Sequence, residues 1–380
     1  MEMKLALITP RYPPTHAGGG EISARLLAEQ LTKRELADVT VYSFDGESEE
    51  TVNGVTVHRL ANVPQYPYTL PNEIAYRELQ DENLSCDLLH AYNMHLHPAV
   101  GRLSKVLDIP SVATLNAYPL LNWGDIGITP SLKRKLYEQT VLRVERPRLK
   151  RHMRNIDRFL PLSSAVEKVY SNNGFGESDF QVVPNMIDPE FNPPTRLENN
   201  SGGCRLLYVG YLRDSKGVRY LIDAIDLLPP AFELTVVGDG PKQDVLENRA
   251  EDSDAADRIE FTGAIPYESV TQAYANADVF VHPGVWPEPF GRTILEAMLS
   301  GLPVVATNVG GPADTVPEAE LLCEPADPES LRESIEYATK NRDRIGAENK
   351  RLVRERYHPD AVVPQFRQAY ESVLDDGCKP

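Results

Sequence analysis

Residues 282–307 read HPGVWPEPFGRTILEAMLSGLPVVAT. The pattern predicts a strand end, a proline-stiffened loop, a helix opening on Gly291-Arg292-Thr293, and a following buried strand. The first N–H groups of a helix have no partners within it and carry the positive end of its dipole. The backbone at Gly291, Arg292 and Thr293 therefore suits a phosphate without any basic side chain. Two carboxylates stand on either side of that opening, Glu288 before it and Glu296 inside the helix. Neither can bind phosphate, but a carboxylate beside an anion site accepts hydrogen bonds from hydroxyls. Glu296 lies roughly 7 Å along the helix at about 1.5 Å per residue, about the separation of a β-phosphate from a ribose. Glu288 falls on the other side, where a transferred sugar would be. The stretch has the layout of a nucleotide-sugar site, although two glutamates alone also fit a helix cap and a solvated charge.

At 380 residues and 41% hydrophobic content, the chain suits two α/β domains. Cys86, Cys204, Cys323 and Cys378 are scattered without a CxxC pair, which argues against a disulfide framework or zinc knuckle and fits a reducing cytoplasm. No apolar run approaches the ~20 residues that span a bilayer. The opening MEMKLALITP reads as a strand rather than a signal peptide, so a soluble or peripheral protein is expected. A formal charge of −17 argues against general nucleic-acid binding. With 12 Lys against 27 Arg, the acidic balance is compatible with a salt-rich cytoplasm and equally with an ordinary cytosolic enzyme.

Upstream, residues 4–9 form a short apolar run, read as a buried parallel strand. A proline loop leads to Gly18-Gly19-Gly20-Glu21, where a helical pattern begins and continues to about Leu36. Glycine there lets a ligand approach the helix start, with a plain flexible turn as the alternative. The spacing is neither GxGxxG directly after a strand nor a P-loop. Strands at 39–44, 55–60, 87–90 and 111–115, an acidic loop with an Asn53-Gly54 turn, and a helix near 73–83 predict a sheet wound on both faces, with ligands at the strands' carboxyl ends. His90, His95 and His97 fall at one such end. Their spacing lacks the i, i+4 pattern and no carboxylate completes a shell, so no metal is expected. His95 and His97 are candidates for acceptor binding, or are plain surface histidines. After a strand at 158–162, the Pro-, Asn- and Gly-rich run 188–203 reads as a linker. Strands at 206–210, 233–237, 259–261, 279–282, 303–306 and 321–323 form a second sheet, and 359–374 a final helix.

Residues 133–158 hold ten Lys/Arg against three Asp/Glu. With interleaved Leu, Val and Met, this is what an amphipathic helix needs to sit on anionic lipid, at ~1 kcal/mol per basic side chain near the surface. Pro147 is expected to break or bend it. A solvated face paired with acidic neighbours explains the segment equally well.

EPFGRTILEAM (288–298) followed by SGLPVVATNVGG (300–311) closely resembles the signature of retaining glycosyltransferases of family 4, and matching motifs run in order from Gly18 to Pro328. The resemblance implies two Rossmann-like α/β domains facing across a cleft in the GT-B arrangement. Residues 1–190 would form the acceptor side and 200–357 the nucleotide-sugar side, with 358–380 a helix crossing back to the first domain. It implies transfer of a sugar from a nucleoside diphosphate to an acceptor hydroxyl with retention, without metal or cofactor. Gly19 and Gly20 match a GG(G/A)E loop near donor phosphate and acceptor. In Gly210-Tyr-Leu-Arg213-Asp-Ser-Lys216-Gly217 the family places arginine after the first glycine and lysine five residues on, both at the diphosphate; Lys216 matches, Tyr211 does not, and Arg213 stands two residues further. Asn116 replaces a histidine that many members keep at the reaction centre, and asparagine carries no proton at neutral pH. Asp314 replaces a usual glutamate. The roles implied are Glu288 on the sugar, Glu296 on the ribose, Gly210, Gly291, Arg292 and Thr293 around the diphosphate, and Lys216 with Arg213 stabilising its departure. Members acting on lipid-linked acceptors often dock to membranes through the first domain. The implied partners are therefore a nucleotide sugar, a glycan or lipid-linked acceptor, and an anionic membrane at the inner face of the cell. A nucleotide-sugar epimerase or phosphorylase of similar architecture is an alternative. So is a non-catalytic nucleotide-binding relative, suggested by Asn116 and Tyr211.

Overall fold

The computed structural model describes residues 3–16, 18–195 and 203–377, so residues 196–202 of the linker and Cys378 lie outside the described residues. The chain forms two compact units, Met1–Met186 with Pro359–Pro380, and Ile187–His358. The first contains β1 (Met3–Thr9), α1 (Gly19–Lys33), β2 (Ala37–Ser43), β3 (Ser48–Val52), β4 (Val55–Arg59), α2 (Thr69–Asp81), β5 (Leu88–Ala91), α3 (His97–Leu107), β6 (Ser111–Leu115), α4 (Leu132–Gln139), α5 (Val141–Met153), β7 (Arg158–Pro161) and α6 (Ser164–Tyr170). Its sheet runs β3-β4-β2-β1-β5-β6-β7 and is parallel except where β3 meets β4. β5 and β6 are buried at every position, which is why they read as unbroken apolar runs.

Two expectations fail here for physical reasons. The acidic loop contains β3, an antiparallel edge strand closed by Asn53 (φ 50°) and Gly54 (φ 84°). Its polar Ser-Glu-Glu-Thr-Val sequence suits an exposed edge but gives no apolar signal. Pro147 does not break the basic segment, because α5 continues through it. Proline removes one bond to the carbonyl of Arg143, and both residues are exposed, so water can replace it. The break comes earlier, at Thr140 (φ −111°, ψ −91°).

The second unit contains β8 (Cys204–Val209), α7 (Val218–Leu227), β9 (Phe232–Val237), α8 (Gln243–Glu251), β10 (Ile259–Gly263), α9 (Tyr267–Asn276), β11 (Val279–His282), α10 (Arg292–Leu299), β12 (Val304–Thr307), α11 (Pro312–Thr315), β13 (Leu322–Cys323), α12 (Pro328–Lys340) and α13 (Arg342–Arg356). Its parallel sheet runs β10-β9-β8-β11-β12-β13. Residues 188–195, expected as linker, belong to this unit, which begins at Ile187: the Ile187 N–H donates to the Tyr357 carbonyl at 2.8 Å, and Phe191 packs edge-on against Tyr274.

The last helix, α14 (Pro359–Gly377), belongs to the first unit. Val362, Phe366, Tyr370 and Val373 form a stripe at helical spacing that joins Leu5, Leu7, Val39 and Leu27 in one core cluster. His90, fully buried on β5, bonds Tyr370 Oη through Nδ1 and Thr114 Oγ1 through Nε2, both at 2.8 Å. Burial, with a small contribution from His97, pushes its pKa from 6.5 down to about 3. The unfolded chain therefore binds this proton more readily than the folded one, and stability is lost as pH falls from 6.5 towards 3. The expected slope from His90 is about 1.4 kcal/mol per pH unit across that window. Denaturant unfolding of His90→Gln, followed by a probe in the first unit, should show a shallower acid loss than the parent.

Candidate active site

In the second unit the loops leaving β8, β11 and β12 are stitched together at the carboxyl edge of the sheet. The Val285 N–H donates to the Ser215 carbonyl at 2.9 Å. Gly217 (φ 70°) lies so close to Pro283 that a Cβ would sit 1.8 Å from the Pro283 oxygen. These contacts bring Lys216 onto Glu288, with Nζ 2.6 Å from Oε1 and 2.7 Å from Oε2. His282, the last residue of β11, adds its Nε2 at 2.9 Å from Oε2. The loop after β12 grips the backbone of the same residue. The Gly311 N–H donates to the Glu288 carbonyl at 2.7 Å, and a Cβ on Gly310 (φ 72°) would fall 2.6 Å from both Glu288 N and O. Burial alone would raise the pKa of Glu288, but the Lys216 ammonium and His282 outweigh it and hold the carboxyl well below the usual range.

The surrounding residues divide. Gly291 (φ 93°) leads directly into α10, which starts at Arg292-Thr293 as expected. Glu296 is 4% exposed and accepts from Tyr274 Oη at 3.0 Å and Tyr267 Oη at 3.3 Å. Its burial raises the pKa, opposed by Arg292 and the two phenols. Tyr267, 43% exposed, is the partner that a ligand hydroxyl could displace. Arg213 lies over the Trp286 ring, 5.4 Å from its centroid, on the loop that carries Glu288. Gly210 gives its N–H to the Val237 carbonyl at 3.0 Å, and a Cβ on Gly238 would sit 2.0 Å from its oxygen, so it packs two loops closely together.

At the carboxyl edge of the first unit's sheet, Gly20, Asn93, Asn116 and Thr9 converge. Asn93 Nδ2 donates to Thr9 Oγ1 at 3.2 Å, and its Oδ1 accepts from Asn116 Nδ2. A Cβ on Gly20 would lie 2.2 Å from Asn93 Oδ1, so a larger residue there would displace the Asn93 amide. Gly19 is the first residue of α1, its carbonyl taken by Ser23 Oγ at 2.9 Å. Asn93 has φ 62° and ψ 107°, a conformation that costs a non-glycine residue on the order of 1–3 kcal/mol and is concentrated at functional sites. His95 lies beside Tyr68, and burial with Arg11 and Arg134 lowers its pKa to about 4, so it is neutral. His97 is a correction: it is fully buried, with Nε2 3.1 Å from the Ala91 carbonyl, and shows no face to an acceptor. Among the described residues no three His, Cys, Asp or Glu side chains form a metal-holding group.

Three contributors were missed in the sequence. His282 closes an apolar strand and looks like part of it, although a histidine at a strand's carboxyl end six residues before Glu288 was a usable signal. Asn93 sits in a run read for its histidines. Tyr267 carries no motif.

Two parallel-sheet α/β units with this edge chemistry define a GT-B glycosyltransferase. Residues 17–191 match the model of Glycosyltransferase Family 4 and residues 194–357 that of Glycosyl transferases group 1; the chain belongs to the glycosyltransferases that combine them. An uncharacterised glycosyltransferase of Methanocaldococcus jannaschii is 25% identical over 98% of this chain and 99% of its own. Sucrose-phosphate synthase from Thermosynechococcus elongatus superposes with a TM-score of 0.80 at 20% identity, covering 99% of this chain and all of its own. Anabaena HepE, solved with UDP-glucose, does so with 0.73 at 20% identity, covering 98% and 100%.

Lys216→Met should leave Glu288 as a buried charge without its main partner, destabilising the second unit by about 3–5 kcal/mol at neutral pH. Because the pair's contribution is present above the carboxyl's unfolded pKa and lost as pH falls through the folded one, the deficit against the parent should shrink on acidification. Thermal unfolding of both proteins from pH 6 down to pH 3 measures it, the change setting in below about 4.5.

Proposed function

We propose that this glycosyltransferase moves a sugar from a nucleoside diphosphate to an acceptor hydroxyl with retention of anomeric configuration. The observation that carries the reading is the Lys216–Glu288 pair placed next to the opening of α10, with Glu296 a turn further on. Glu288 accepts from the sugar hydroxyls and Glu296 from the ribose. Backbone groups of Gly291, Arg292 and Thr293, with Lys216 and Arg213, meet the charge that grows on the departing diphosphate. In the first unit, Thr9, Asn93 and Asn116 offer groups that can hydrogen-bond hydroxyls but take no proton at neutral pH. His95 is the remaining acceptor candidate. On this reading no metal or cofactor takes part, and the UDP-glucose bound by HepE supports a nucleotide-sugar donor.

The acceptor is lipid-linked and met at an anionic membrane, the inner face of the cell membrane in this reading. Support comes from α4 and α5. Leu132 and Val144 are 84% and 80% exposed, with Leu136 and Val141 also exposed, among exposed Lys133, Lys135, Arg143, Arg148 and Arg151. The acids of these helices turn inward: Glu138 pairs with Arg134 at 2.8 Å, and Glu145 accepts from the Thr69 N–H and Tyr137 Oη. Arg134 itself is drawn inside, onto the Pro119 and Leu121 carbonyls, and is no part of the basic face. Exposed apolar side chains interspersed with exposed cations along two helices suit a lipid surface. No helix of the described residues is long and apolar enough to cross a membrane.

Thermal stability should be measured with UDP, GDP, ADP and CDP in turn; a nucleotide at 100 times its dissociation constant adds about 2.7 kcal/mol. Glu288→Ala should keep that response and lose roughly 100-fold or more in transfer; normal turnover in the variant overturns the site. Vesicles containing phosphatidylglycerol should sediment the protein while phosphatidylcholine vesicles do not, and the double variant Leu132→Asp, Val144→Asp should stay in solution. Equal sedimentation of parent and variant removes the membrane reading.

A further inference from the structure

His282 has no place in the roles above, yet it touches the carboxylate at their centre. Its ring is 2% exposed and its Nε2 is 2.9 Å from Glu288 Oε2. Its Nδ1 is buried with no hydrogen-bond partner among the described residues. An ionised carboxylate only accepts, so Nε2 bears the hydrogen and Nδ1 a buried lone pair. Protonating Nδ1 would bury an N–H with no acceptor, a cost that nothing offsets while Lys216 neutralises Glu288.

On the reading of this site as a nucleotide-sugar pocket, on which the inference rests, Lys216 has two claimants. Its Nζ touches both oxygens of Glu288, and a diphosphate that draws the ammonium must take it from there. Glu288, with a side chain 14% exposed, would then lose its main counter-charge. Few groups face His282. Lys216 comes from the loop after β8 and Glu288 from the loop after β11, while Gly284 and Gly291 approach the ring with their backbones. Tyr208 on β8 is the next titratable group near Glu288, and burial keeps its phenol un-ionised. Arg213 stands off on Trp286. Once Lys216 is engaged elsewhere, a cation at His282 is the nearest compensation left to Glu288.

We propose that His282 is a positioning residue that takes a proton from solvent at Nδ1 as a diphosphate takes Lys216, and as an imidazolium holds Glu288 ionised and aimed at the sugar. One proton enters the protein per donor bound, and no bond to the substrate forms or breaks at His282. Binding of nucleotide and uptake of a proton are thereby linked.

The test is isothermal titration calorimetry of the whole protein with UDP, GDP, ADP and CDP near neutral pH, in buffers of different ionisation enthalpy, beside His282→Gln and His282→Asn. Both variants keep an N–H donor and cannot titrate; their thermal midpoints report whether they fold. For the nucleotide that binds, the parent should take up about half a proton or more beyond either folded variant, the difference cancelling any proton lost by the nucleotide itself. Equal uptake in parent and variants overturns the inference while the nucleotide site stands. If no nucleotide binds, the site reading and the inference fall together.

Discussion

The second unit is arranged around one buried ion pair. Removing an ammonium and a carboxylate from water is costly, and their attraction offsets that cost only when geometry is tight and spare lone pairs are satisfied. Here the geometry is imposed by backbone. Gly217 lies against Pro283, Gly310 and Gly311 lie against Glu288 and its neighbours, and each contact leaves no room for a side chain. Loops from three adjacent strands thus fix one glutamate, the β8 loop through its carboxylate and the β12 loop through its backbone. The charges do not assemble the site; the loops do, and the charges are what such close loops make tolerable.

The two glutamates that frame α10 show how environment separates like groups. Glu288 faces the Lys216 ammonium and the His282 Nε2 and is kept ionised. Glu296 is surrounded by two phenols, and burial raises its pKa. One is suited to accept hydrogen bonds as a standing anion, the other to a neutral exchange of one hydroxyl for another. Their spacing in the sequence is that of a signature, but the difference between them comes from Lys216 and His282 on one side and from Tyr267 and Tyr274 on the other.

Much of this is legible in the order of the residues alone. Strands buried on both faces, such as β6, β11 and β12, announce themselves as apolar runs, and α10 is marked by its glycine and its stripe of Ile294, Leu295 and Met298. What escapes such a reading is either polar by necessity or made by distant partners. β3 is acidic because it is an edge. Asn93 acquires its meaning from Thr9, 84 residues away, and Tyr267 from Glu296, 29 residues away. His97 and Gly210 sit at sheet edges where ligands gather, yet His97 Nε2 and the Gly210 N–H are already committed to nearby backbone.

The membership of α14 in the first unit bears on how the chain comes to be folded. Residues 187–358 are continuous and can close on themselves as soon as they are made, whereas the first unit lacks Val362, Phe366, Tyr370 and Val373 from its core until the final helix has been synthesised. The part translated first is therefore completed last, inverting the usual order from amino to carboxyl terminus. Until then an apolar seat on the first sheet stays open to other chains, and a polypeptide cut short before α14 is marked by that seat as unfinished.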